Sequence, residues 1–226
     1  MPMTNRTSQT RIFMRVGTTG QYVILCGLAG GEAGVGLSGS IELTCVAHTG
    51  AGIAALWDPA SFATITDYDT WEAALLEDDD VVRYIERGSL VPICIGADFA
   101  GGVVVRCAAN GHPAELTERE RTYLYVSSEP YLFVSTGVGY VSGYEAIDNS
   151  PPPDLPRLDV PTGRHVATIH LLDWDAEPGA SDEHGNPTEH ALPDFVVLLN
   201  PEIGPQPNYR TNVESFERSD IPDFED

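Results

Sequence analysis

The sequence predicts a mainly β fold, an antiparallel β-sandwich or barrel with one short helical insertion near residues 69–87. Three observations lead there. Short runs rich in Val, Ile, Leu and Tyr recur along the chain. Clusters drawn from 22 glycines and 17 prolines punctuate them. Apolar spacing of helical period shows in one stretch only. Many short strands with Gly/Pro turns and little helix belong to a sandwich or barrel.

The elements follow in order. Residues 11–16, 21–28 and 40–47 read as strands separated by glycine clusters. A shorter run, 53–57, follows Gly50-Ala51-Gly52. From 69 to 87 the residues Trp71, Leu75, Val82 and Ile85 recur near helical spacing. Asp69 or Thr70 would cap that helix, and the Asp78-Asp79-Asp80 run would break it into two. Strands resume at 90–96 and 102–108. Residues 119–128 alternate Arg121, Tyr123 and Tyr125 against Thr122, Leu124 and Val126, and Glu129-Pro130 ends them. Residues 131–136 and 138–144 read as two strands joined tightly at Gly137. The turn Pro161-Thr162-Gly163 opens a long strand, 164–174, and 193–199 is the last. Residues 1–200 form a single β-rich domain, or two subdomains at 1–110 and 111–200. Residues 201–226 form an acidic C-terminal tail.

Apolar residues make up 42% of the 226, enough for a packed interior. The charge is the anomaly. There is no lysine; 12 arginines stand against 34 Asp and Glu, for a net charge of −22. Cations supply most nucleic-acid affinity, so direct binding to nucleic acid is disfavoured. An acidic protein is steered toward cationic partners. A salt-adapted or GC-rich lineage would also favour Asp, Glu and Arg over Lys. Residues 1–31 hold Arg6, Arg11 and Arg15 and no acid. The acids gather at 77–80, 173–194 and 214–226.

No stretch reaches the roughly 20 apolar residues of a membrane helix. The polar N-terminus lacks a secretory core, so the expected location is cytoplasmic. Cys26, Cys45, Cys94 and Cys107 each sit in an apolar run without CxxC spacing, and read as buried free thiols.

Motifs for catalysis are weak. Gly34-Val35-Gly36-Leu37-Ser38-Gly39 spells GxGxxG, but a strand-like run follows where a dinucleotide site needs a helix; a hairpin loop is expected. Asp173-Trp174-Asp175-Ala176-Glu177 opens like a calcium loop, yet Pro178 stands where glycine must turn. Asp182, Glu183, His184, Glu189 and His190 offer metal-ligating types, with a solvated acidic loop as the alternative. His165 and His170 fall on opposite faces of one strand. His48, His112 and Asp98 lack chemical companions. Neither GxSxG nor HExxH occurs. No catalytic residue, cofactor or metal is therefore assigned, and an enzyme is the less favoured reading. Tyr123, Tyr125, Tyr131, Phe133, Tyr140 and Tyr144 crowd the centre of the chain, as cross-strand packing or as interface anchors.

The run from Glu118-Arg119-Glu120-Arg121-Thr122-Tyr123 to Ile169-His170-Leu171-Leu172, with the turn Val160-Pro161-Thr162-Gly163-Arg164-His165-Val166, resembles the competence protein J family of bacterial β-rich proteins. The likeness covers the central third of the chain. It implies an intracellular inhibitor or immunity-type protein acting on a nuclease, and it carries no individual residue.

The expected function is an acidic binding protein that neutralises a basic protein partner, such as a nuclease toxin. Its expected contacts are Asp78, Asp79, Asp80, Asp173, Asp175 and Glu177. The alternatives are a structural or assembly protein of a salt-adapted host, and a metal-assisted enzyme using His184 and His190.

Overall fold

A computed structural model describes residues 34–35, 40–94, 99–204 and 207–213. The strands expected at 11–16 and 21–28, Cys26, Asp98 and the acidic end of the chain lie outside these residues. The described chain runs through β1 (Gly34–Val35), β2 (Ile41–Thr49), β3 (Ile53–Trp57), α1 (Tyr68–Leu75), α2 (Asp78–Glu86), β4 (Leu90–Cys94), β5 (Phe99–Cys107) and α3 (Glu118–Thr122). It continues through β6 (Leu124–Ser127), β7 (Tyr131–Ser135), β8 (Val138–Gly143), β9 (Arg157–Asp159), β10 (Gly163–Leu172) and β11 (Phe195–Pro201).

Two sheets form. One has the order β1-β2-β5-β11-β10-β6, with β7 also on β10; the other is β4-β3-β8-β9. Every strand pair is antiparallel except β5 with β11, which run parallel. Among the described residues neither sheet closes, so the sandwich rather than the barrel is realised.

Sequence pattern explains which faces are buried. In β2, Leu43 and Ala47 are buried while Thr44, Val46 and His48 face out, the alternation of a sheet packed on one side. The main core joins both sheets, with Leu43, Val103, Val105, Ile169 and Val197 meeting Leu56, Trp57, Leu90, Ile93 and Val141. The continuous run Phe195-Val196-Val197-Leu198-Leu199 is buried throughout. A strand reads that way when both its faces are covered. On its outer side Val104, Val196, Leu198 and Leu172 meet Ala114, Leu116 and Leu192 in a second, smaller core.

Trp57 anchors the main core. Its indole donates to Ser142 Oγ at 3.0 Å and stacks on Tyr140 at 5.3 Å. Burying a side chain of this size stabilises by about 3 kcal/mol or more. Asp58, also fully buried, accepts from the Ala60 and Thr136 amides and the Thr136 hydroxyl. It thereby ties the end of β3 to the β7–β8 link. Close approach fixes Gly143: an added Cβ would fall 2.2 Å from the His48 carbonyl oxygen.

Three expectations change. The strand expected over 119–128 is divided. Thr117 and Glu120 form a capping box that winds Glu118–Thr122 into α3, and only Leu124–Ser127 is strand. The strands on either side of Gly137 do not pair with each other: β7 joins β10 in one sheet and β8 joins β3 and β9 in the other. The long strand ends at Leu172, and Trp174–Ala176 form a 3-10 turn. At the start of GxGxxG, Gly34 and Val35 pair antiparallel with Glu42 and Ile41; the loop expected over the rest of the motif, 36–39, lies outside the described residues.

Candidate partner-binding surface

The helical insertion between β3 and β4 carries the first acidic cluster. Helix α1 starts one turn earlier than Thr70 would set it. Asp67 is the cap: it accepts from the Thr70 amide at 2.9 Å, and its own amide donates to Thr70 Oγ1 at 3.0 Å. These bonds hold the Asp67 carboxyl below the ordinary carboxylate value. The chain breaks at Leu76 and Glu77, and Asp78, Asp79 and Asp80 form the first turn of α2. Carboxylates there favour the positive end of the helix dipole, so the run begins a helix rather than ending one. The restart shifts the inward face: Val81 and Ile85 are buried, and Val82 is only half-buried.

Outward, α1 and α2 show carboxylates and uncovered apolar groups together. Asp69, Glu72, Glu77, Asp78 and Asp79 are exposed, while Asp80 is half-buried and pairs with Arg83. Tyr68 is 68% exposed and Leu76 53%. Leu76, Glu77, Asp78, Asp79, Asp80 and Arg83 line an open depression of about 570 Å³. Tyr68 stacks on Trp71, with ring centroids 6.1 Å apart and planes at 20°. Trp71 in turn meets Tyr144 edge-on and donates to its carbonyl oxygen at 3.3 Å. Burial, then the charges of Asp78 and Asp80, push the Tyr144 hydroxyl above its ordinary value.

The second cluster lies at the end of β10. Asp173 and Asp175 are exposed on the turn. Glu177 instead braces the fold. Arg119 donates to both its carboxylate oxygens, at 2.7 and 2.5 Å, and to the His190 carbonyl. That pairing, above all other causes, lowers the Glu177 carboxyl below its ordinary value. Trp174 points its indole at Asp194, which also accepts from the Gly102 amide. No group of three His, Cys, Asp or Glu converges as metal ligands among the described residues. His184 and His190 are both exposed, each beside its neighbouring glutamate. Asp78, Asp79 and Asp80 thus share one helical turn, and Asp173 and Asp175 sit on a different element.

Internal pairing decides what charge remains outside. Of the eight arginines in the described residues, six form ion pairs with carboxylates of the same chain. The most buried is Arg106, on the outer face of the larger sheet. It donates to Glu42 at 2.7 Å and to both oxygens of Glu120 at 3.0 and 3.1 Å. Burial opposes both charges, yet these bonds win: the Glu120 carboxyl is lowered and the Arg106 guanidinium raised. There are 26 carboxylates against those eight arginines. On α1, α2 and the β10 turn Asp80 pairs with Arg83 and Glu177 with Arg119, while Asp69, Glu72, Glu77, Asp78, Asp79, Asp173 and Asp175 form no ion pair among the described residues.

His170 and His165 bond within the fold, and two thiols lie within it. His170 bridges Ser127 Oγ at 2.7 Å and Thr168 Oγ1 at 3.2 Å; burial, opposed by the Glu120 charge, lowers its basicity. His165, on the opposite face as expected, is buried and bonds the Pro161 carbonyl at 2.7 Å. Burial pushes the Cys45 thiol up to about 12 and the Cys107 thiol to about 11. Both stay protonated and unreactive at neutral pH. No helix among the described residues is long and apolar enough to cross a membrane.

The apolar part of this surface is absent from the sequence-based expectations. Leu76 falls off the inward face of α1, whereas Tyr68 stands i,i+3 from Trp71 and i,i+7 from Leu75, in phase with that face, so its exposure comes from its place at the start of the helix and not from the phase.

No family model matches the chain, and no curated protein matches it. Two solved structures are similar to it. One, named "Crocagin biosynthetic gene J", is 16% identical, with 73% of this chain and 97% of that one covered at a TM-score of 0.48. The other is ComJ from Bacillus subtilis, an inhibitor of the DNA-degrading activity of NucA. It is 10% identical, with 70% of this chain and 95% of that one covered at a TM-score of 0.37.

Proposed function

We propose that this chain is an acidic binding protein that neutralises a basic protein partner, and that the partner is a nuclease. One observation carries the reading: unpaired carboxylates of α1 and α2 lie beside the exposed Tyr68 and Leu76, while six of the eight arginines in the described residues are paired within the chain. A nuclease presents a cationic groove to its substrate, and complementary fields speed the encounter. The residues proposed to meet the partner are Asp78 and Asp79, with Asp80, Asp173 and Asp175 contributing field. Glu177, braced by Arg119, shapes the β10 turn instead.

The reading is tested by titrating the protein into a panel of basic nucleases cutting a fluorescent DNA substrate. Inhibition that saturates near one equivalent and weakens with added salt is expected for at least one of them. A protein that inhibits none, and is retained by none at low salt, would contradict it.

A further inference from the structure

We propose that the exposed ridge of α1 is the anchor of this interface, and that it takes an arginine side chain of the partner. The inference rests on the binding function above and names the chemistry of its contact. Tyr68 and Glu72 stand at i and i+4 on α1, and Leu76, the C-cap whose backbone is still helical and whose amide donates to the Glu72 carbonyl, continues the row at i+8. The row alternates aromatic, acid and aliphatic groups. All three side chains are exposed, and Asp69 and Ala73 lie exposed beside them. Tyr68 stacks on the Trp71 ring, and Trp71 meets Tyr144 edge-on and bonds its carbonyl oxygen, so the tyrosine has a packed aromatic support on one side.

An uncovered tyrosine of 68% exposure, flanked by Asp69 and Glu72, has the chemistry of a cation site. A guanidinium stacks flat on an aromatic face and pairs with a carboxylate in its own plane. An ammonium is a strongly hydrated point charge and does so less well. Leu76 adds an apolar contact for the stem of that arginine or for its neighbour. Aromatic groups of this kind dominate binding energy in interfaces, whereas rim charges mainly set the rate.

The test uses the intact protein and two fluorescent peptides of equal length and charge. One alternates Arg with Leu; the other replaces every Arg by Lys. Binding is measured by anisotropy at low salt, with circular dichroism confirming that each variant folds. Wild type is expected to bind the arginine peptide about fivefold or more tighter than the lysine peptide. Tyr68→Ala is expected to abolish that preference, Tyr68→Phe to keep it, and Leu76→Ser to weaken both peptides. Equal binding of the two peptides, unchanged in Tyr68→Ala, would overturn the anchor while leaving an acidic binding protein intact. Failure to bind either peptide would overturn the anchor together with the reading beneath it.

Discussion

Arg106 shows how a single buried residue balances charge inside the fold. Its guanidinium lies under α3 with Glu120 and Glu42 as partners. Removing one member of a buried pair leaves the other charged and unsatisfied, which costs about 3–5 kcal/mol. Arg106→Met is therefore expected to lose that much stability in urea unfolding, and Arg106→Met with Glu120→Leu much less. The pH dependence follows from the lowered Glu120 carboxyl, whose ordinary value is 4.5. Its stabilisation is complete above that value and is lost as pH falls through the folded one. In Arg106→Met, protonation instead relieves a stranded charge, so the deficit against wild type should narrow between pH 7 and pH 4. A constant deficit would mean that Glu120 finds another partner.

Elements are legible in the sequence in proportion to how local their causes are. β3 reads at its observed bounds, because Gly50-Ala51-Gly52 and Asp58 punctuate it. The break between α1 and α2 is legible too, but not its meaning. Three aspartates look like a helix breaker until their place in a first turn is known. α3 escapes notice because Arg121, Tyr123 and Tyr125 alternate like a strand. The capping box Thr117/Glu120 and the buried bond from Arg106 to Glu120 override that alternation. The sheet change at Gly137 is not readable, since both neighbouring strands have the same apolar character and only long-range pairing tells them apart. The site is half legible: the acids stand out, but Tyr68 shares the helix phase of buried Leu75, and only the observed start of α1 shows that it is uncovered. Asp67 holds that start in place. Asp67→Ala removes the side-chain cap of α1 and is expected to weaken that helix. It should also raise amide exchange in Tyr68–Leu75 ahead of the sheets. Uniform exchange across the chain would contradict a locally capped helix.

At the scale of the whole molecule, the sandwich pairs six of the eight arginines in the described residues with its own carboxylates and leaves a surplus of anions outside. Such a molecule repels its own copies and attracts cationic partners over distances set by salt. The screening length is about 30 Å at 0.01 M and about 10 Å at 0.1 M. Asp78, Asp79 and Asp80 concentrate that field beside uncovered apolar groups. The decisive measurement is the association rate with an inhibited basic nuclease across ionic strength, for wild type and for the triple variant Asp78→Asn, Asp79→Asn, Asp80→Asn. Wild type should associate fast at low salt and slow steeply as salt rises, and the variant should start slower and depend less on salt. Identical rates and identical salt dependence in the two proteins would contradict the proposal that this surface recruits the partner.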